Sequence, residues 1–404
     1  AESEIAAGNY RGPLHGVPVA VKDLCSTWGI RTTCGSHVLR DHVPAGDAHV
    51  VERLAQAGAV LVGKLALTEF AMTGYPPGIH PPVNPWDRDV YAGMSSSGSG
   101  VAASAGLAFA TIGTDTGGSI RFPASACGVV GLKPTYGRVS RAGVFPLAAS
   151  LDHVGPLARS VADAAAVLDA VSGHDPRDAT TLKDPPTACV ASLDAGARGV
   201  RIGVDETYAT TLVQARVAAA FHRALRALEE VGAVLVPVTV PPVESVLPAW
   251  PVLCAAEAVA GHASLFPSRS GTYGLLFRTM LEWGAKLSSA TVAKASLARA
   301  EWVGRFDAVF EEVDLLVCPP ACATALPAAL VATESPFKAD FAPFMRFTAP
   351  TNFSGHPTLT IPFGSGAPPD SVQLVGRRCD EALLCQVGLA FERAVGRPGR
   401  PPLA

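Results

Sequence analysis

The sequence predicts an α/β fold, on three observations. Residues 14–23, 47–58 and 59–62 run as a short β-branched segment, an amphipathic helical pattern and a second apolar segment, and residues 200–204, 213–231 and 233–240 repeat that order. The chain of 404 residues is 49 % hydrophobic and 17 % charged, the balance of a chain that buries a large core. Its 39 glycines and 34 prolines are scattered between these runs as punctuation.

The first strand, 14–23, reads LHGVPVAVKD and carries Lys22 at its end. Most such lysines are solvated charges; one desolvated by its surroundings is held neutral and can act as a base. The helix 47–58 places Val50, Val51, Leu54 and Ala55 at helical spacing, with Gly58 as its stop. Thr68 opens a short helix, and 72–87 is a loop rich in proline and glycine. It leads into 92–125, where two serine-glycine clusters flank an apolar run read as a helix over 101–107 and a strand over 109–113. Residues 128–134 form another apolar segment, and 161–171 a helix with Ser160 as N-cap and Gly173 near its stop. Residues 175–197 turn polar and read as a surface excursion. After the second strand-helix-strand unit, 250–313 is mainly helical, 314–318, 358–363 and 372–375 are strands, and 381–395 is a helix. No repeat of fixed period is visible.

A net charge of −3 and a pI near 6.4 supply no field for a nucleic-acid backbone. No uncharged apolar stretch approaches the roughly 18 residues of a membrane span. Nine cysteines without a dense spacing point to a reduced, cytoplasmic setting. Cys318 and Cys322 lack a nearby histidine or second cysteine pair to complete a zinc site, so no metal is expected. The chain opens on alanine, which leaves a trimmed or processed N-terminus open.

Two aromatic groups stand out. Phe266, Tyr273, Phe277, Met280 and Trp283 read as core. Phe337, Phe341, Phe344, Phe347 and Phe353 are interrupted by Pro343 and Pro350, a pattern that also suits a loop over a pocket.

Three motif families can be tested against the chain. Gly98-Ser99-Gly100-Val101-Ala102-Ala103 fits a dinucleotide fingerprint with Asp115 as the acidic partner, but serines occupy the place of the preceding strand. No G-x-S-x-G elbow is present, and the S-x-x-K at Ser335 contains Pro336 and lacks companion motifs. The third test is positive. VPVAVKD around Lys22, SSSGSG from Ser95 and GTDTGGSIRFPAS from Gly113 to Ser125, with GLKPT, GRVS, SLDHVGP and the later Asn352–Pro357 and Val372–Gly376 segments, together resemble the amidase signature family. The resemblance spans nearly the whole chain.

That resemblance implies one α/β/α domain over residues 1–404, with a mixed central sheet covered by helices. It implies a Ser-cisSer-Lys triad of Lys22, Ser95 held by a cis peptide, and the nucleophile Ser119, with Ser96 as the alternative bridge. A serine hydroxyl needs a base to become a nucleophile, and a neutral buried lysine acting through a second hydroxyl supplies one. Thr116, Gly117, Gly118 and Ser119 offer backbone N–H groups for an oxyanion hole, and Asp115 and Arg121 are expected to brace that loop. Met94, Phe341, Phe344 and Phe353 are the expected pocket walls. Met94 and Ser97 replace glycines of the family pattern, and only 21 residues precede Lys22, so the N-terminal helical region is expected to be short or missing.

The implied activity is a cofactor-free hydrolase that cleaves an amide, ester or carbamate (urethane) of a small apolar or aromatic compound through an acyl-enzyme. Its partners are that substrate and water, with a homodimer left open and neither nucleic acid nor membrane expected. The rival readings are the glutaminase subunit of a tRNA-dependent amidotransferase, which works inside a complex, and a dinucleotide-binding protein.

Overall fold

Ten strands form one mixed sheet in the computed structural model, which describes residues 1–72, 74–185, 188–324, 326–329 and 343–402. They are β1 (Pro18–Lys22), β2 (Val60–Leu65), β3 (Ala110–Asp115), β4 (Val130–Lys133), β5 (His153–Ala158), β6 (Arg201–Val204), β7 (Val234–Pro237), β8 (Leu315–Cys318), β9 (Thr358–Phe363) and β10 (Asp370–Gly376). Their order is β2-β1-β3-β5-β4-β9-β10-β8-β6-β7. The two ends, β2-β1-β3 and β8-β6-β7, are parallel, as strand-helix-strand connections require, and the middle is antiparallel. Helices cover the sheet, and β3, β4, β5, β8, β9 and β10 are buried along their whole length.

Register decides where the chemistry lies. β1 runs beside β3 with Val21 opposite Ile112, so Lys22 and the loop that follows Asp115 emerge at the same carboxyl edge of the sheet. That edge is where open α/β sheets place their ligands.

The helices follow their patterns closely in several places. Glu381–Val395 and Val161–Val171 occupy the expected ranges, and Ser160 caps the second by accepting a hydrogen bond from Asp163 N. The first helix of the opening strand-helix-strand unit is His49–Gln56, with Val50, Val51 and Leu54 buried. Tyr273 and Phe277 pack with Phe70 and the buried His262, and Met280 is buried too, so these three members of the first aromatic group belong to the core, whereas Phe266 is partly buried and Trp283 is exposed at the surface.

Three features differ from the sequence reading. The helix after the first serine cluster spans Ser97–Ser104, starting earlier than expected. Its glycines are poor helix formers, but they let the helix sit tight: a Cβ at Gly98 would lie 2.4 Å from Ala66 O, and one at Gly100 would lie 2.9 Å from Pro123 Cβ. Residues 91–96, which lead into this helix, are not a strand, so the strand-to-helix turn that a dinucleotide fingerprint requires is missing. β5 carries Gly155 and Pro156 and is buried on both faces, so neither propensity nor alternation announces it. Within 175–197, Asp175 and Asp178 are buried; Ser140 Oγ donates to Asp175 at 2.8 Å and Arg141 N to Asp178 at 2.9 Å. That segment folds inward because these carboxylates satisfy backbone and hydroxyl donors of the 137–141 loop.

Candidate active site

Lys22, Ser95, Ser96 and Thr114 meet in the interior. Lys22 Nζ donates to Ser95 Oγ at 2.7 Å, Thr114 Oγ1 at 2.8 Å and Ser96 Oγ at 2.9 Å, and Lys22, Ser95 and Ser96 are fully buried. Burial pushes the Lys22 ammonium down to a pKa of about 7, against smaller opposing effects from Cys25 and from the carboxylates of Asp115 and Asp152. A substantial fraction of this amine is therefore neutral near neutral pH.

The hydroxyls around it are not equivalent. Ser96 Oγ donates its single hydrogen to Thr114 O at 3.0 Å and accepts from Thr114 N at 3.2 Å. It can only accept from Lys22. Ser95 Oγ has no acceptor other than Nζ among the described residues, so its hydrogen is available to the lysine lone pair. This division of donors and acceptors favours Ser95 over Ser96 as the bridge.

Ser119 lies against the same residue. Its Oγ accepts from Ser95 N at 3.3 Å, and the side chain is slightly exposed, at 7 %, unlike the sealed lysine. Hydroxyl-to-hydroxyl contact between Ser95 and Ser119 is absent among the described residues. The expected cis peptide is also corrected: the Met94–Ser95 bond is trans, and the cis bonds among the described residues are Phe266–Pro267 and Ala367–Pro368. A non-proline cis bond costs about 3–4 kcal/mol. Here Gly93, at φ 98°, turns the chain instead, under the backbone of Pro123, and Ser95 reaches Lys22 without it.

The loop 116–119 is held from outside. Thr116 O accepts from Trp250 Nε1 at 2.9 Å, Gly117 O from Thr348 Oγ1 at 2.7 Å, and Thr116 Oγ1 donates to Asp152 at 2.6 Å. Burial pushes the Asp152 carboxyl up to about 6, less its hydrogen bonds from Thr116 and the 147–148 amides. Because N–H and C=O point oppositely across a trans peptide, anchoring the Thr116 carbonyl on Trp250 turns Gly117 N–H the other way. Gly117 and Ser119 N–H have no acceptor among the described residues. Gly118 N–H does: it donates to Asp115 Oδ1 at 2.8 Å, which removes it from the expected oxyanion donors. Its part is conformational, since at φ 130° a side chain would be strained and its Cβ would lie 2.4 Å from Phe122.

Asp115 and Arg121 form a fully buried pair, with bonds of 2.8 and 3.0 Å. Burial alone would raise the Asp115 pKa, but the Arg121 charge and hydrogen bonds hold it well below the carboxylate range. Asn352 joins both: its Nδ2 donates to Asp115 Oδ1 at 2.9 Å and its Oδ1 accepts from Arg121 at 2.6 Å. Thr351 Oγ1 accepts a further bond from Arg121 at 2.6 Å.

Apolar side chains pack beside the 116–119 loop. A Cβ at Gly117 would meet Met345 at 2.5 Å and Trp250 at 2.8 Å. Phe344 stacks on Phe122 with centroids 4.6 Å apart, and both line a narrow cavity with Met94. Phe353 is not part of that wall: it is buried on the helix Ala349–Ser354 with the Arg299 guanidinium over its ring, because that helix turns the side chain toward Ser289–Glu312. Phe337 and Phe341 lie outside the described residues. Sequence reasoning did not single out Thr114, Asp152, Trp250, Met345, Thr348 or Asn352; Thr114, Asp152 and Asn352 fall inside the motifs given above, whereas Trp250 carries no local signal. Among the described residues no group of three or more metal-ligating side chains exists, and no helix is long and apolar enough to cross a membrane.

Known proteins resemble the chain over its whole length. The family model described as Amidase matches residues 1–385. The candidate amidase AmiD of Mycobacterium tuberculosis is 42 % identical over 407 residues, covering 100 % of this chain and 85 % of that protein. A glutamyl-tRNA(Gln) amidotransferase subunit of Anaeromyxobacter dehalogenans is 41 % identical over 433 residues, covering 100 % and 87 %. Among solved structures, the native peptide amidase of Stenotrophomonas maltophilia superposes with a TM-score of 0.87 at 32 % identity, covering 99 % of this chain and 87 % of that one.

Proposed function

The chain belongs to the amidase signature family, a family of carbon-nitrogen hydrolases, and on that premise we propose that it cleaves a small apolar amide through Ser119, Ser95 and Lys22. Neutral Lys22 accepts a proton from Ser95 Oγ, which takes one from Ser119 Oγ as the latter attacks the carbonyl. Gly117 and Ser119 N–H stabilise the oxyanion. The leaving amine receives its proton back through Ser95, and water then releases the acyl group from Ser119. Esters and carbamates share this acyl chemistry and belong to the same substrate proposal.

The observation that carries the reading is the sealed amine 2.7 Å from Ser95 Oγ, with Ser119 Oγ 3.3 Å from Ser95 N. Ser119→Ala and Lys22→Ala, checked for folding by circular dichroism, should each lower kcat/KM on aryl amides by at least about 1,000-fold. Near-normal turnover by folded Ser119→Ala sinks the proposal. The glutaminase reading draws support from the 41 % identical amidotransferase relative. Met94, Phe122 and Phe344, which line one cavity, and Trp250 and Met345, which pack against Gly117, offer no charged partner to a zwitterionic glutamine. Turnover of apolar amides by the isolated chain separates the two.

A further inference from the structure

We infer that Asp152 is a positioning residue for the reaction: it fixes the oxyanion loop through Thr116, and its charge acts on the base Lys22. The inference rests on the hydrolase reading above. Thr116 Oγ1 donates to Asp152 Oδ1 at 2.6 Å, while Leu147 N and Ala148 N donate to Asp152 Oδ2 at 2.9 and 3.1 Å. One buried carboxylate therefore ties the 147–148 turn to the residue that opens the loop. Hydrogen bonds to an ionised acceptor are roughly twice as strong as neutral ones. Trp250 Nε1 holds the carbonyl of the same threonine. Thr116 is thus clamped at both side chain and backbone, and the direction of the Gly117 N–H that follows it depends on both clamps.

The same charge reaches the lysine. Asp152 is one of the carboxylates that favour the Lys22 ammonium against burial. Its own carboxyl, pushed up to about 6 by burial, is still mostly ionised at neutral pH. Facing it are Lys22, the Arg141 guanidinium, the Tyr136 phenol and Cys254 on the helix Ala249–Gly261. With Thr114, Arg141, Arg177 and Asp178 it also borders a cavity of about 260 Å³, which has room for water. Lys22 and Asp152 therefore titrate as an interacting pair. Two substitutions separate the tie from the charge. Asp152→Asn keeps an acceptor for the 147–148 amides and gains a donor for Thr116 Oγ1, but carries no charge. Thr116→Val removes the hydroxyl and leaves the carboxylate in place.

The test is the pH profile of kcat and kcat/KM on a chromogenic anilide for the unmodified protein and the two variants, each checked for folding by circular dichroism. Asp152→Asn should move the acid limb of kcat/KM from near 7 to lower pH by about half a pH unit or more, because the charge that favours the ammonium is gone. Thr116→Val should leave that limb in place and lower kcat about tenfold or more with KM nearly unchanged, since oxyanion contacts strengthen only in the transition state. A carboxylate that merely caps the 147–148 turn moves neither quantity. An unmoved limb in folded Asp152→Asn, or a normal kcat in folded Thr116→Val, overturns the inference while leaving the hydrolase reading standing. Absence of hydrolysis by the unmodified protein, or turnover that survives in folded Ser119→Ala, removes the hydrolase reading and this inference with it.

Discussion

Titrating kcat/KM on a chromogenic anilide from pH 5 to 9 reads Lys22 directly. In water a lysine with a pKa of 10.5 would be neutral in only about 3 molecules in 10,000 at pH 7. Burial lowers the value to about 7, which makes about half of the sites competent and raises the supply of base roughly 1,000-fold or more. The rate should therefore climb about tenfold between pH 6 and pH 8, with an acid limb centred near 7. The same shift acts on stability. Because the folded pKa lies below the unfolded one, the neutral lysine's contribution is fully present above pH 10.5 and is lost as pH falls through about 7. A shift of this size corresponds to about 5 kcal/mol at most. Urea unfolding midpoints should accordingly rise with pH between about 7 and 10.5 as far as this residue is concerned. A rate independent of pH from 5 to 9, or an acid limb centred near 10, would refute the argument that the sealed amine is the base.

Two further outcomes follow from the hydrogen bonds. Ser95→Ala should abolish turnover about as thoroughly as Lys22→Ala, whereas Ser96→Ala, which removes a hydroxyl whose hydrogen faces Thr114 O, should cost only about 10- to 100-fold in kcat/KM; the reverse ranking assigns the bridge to Ser96. Arg121→Met leaves the Asp115 carboxylate buried without its partner, so urea denaturation should show a loss of about 3–5 kcal/mol, and a loss below about 1 kcal/mol would show that the pair does not hold the loop.

Much of the candidate site is legible in the linear sequence, for identifiable reasons. Lys22, Ser95 and Ser119 sit in contiguous motifs, and the parallel strands β1 and β3 needed only their β-branched runs to be recognised. The Asp115–Arg121 pair was readable because both residues flank one short loop. Other features escaped a local reading. The motif places Gly118 among the expected oxyanion donors, but its N–H donates to Asp115, which no local pattern announces. The family resemblance implies a cis bond before the proposed bridge Ser95, whereas the structure turns the chain at Gly93 instead.

Local residue types and spacing along the backbone fix the cast of the proposed reaction and its order along the chain: a base at a strand end, two serines 24 residues apart, and a glycine loop beside the second. How that cast is arranged is a tertiary matter. Trp250 reaches Thr116 O across 134 residues and Thr348 reaches Gly117 O across 231, contacts set by strand order and helix packing with no local trace in the sequence. Burial, likewise a property of the packed whole, is what holds Lys22 near neutrality.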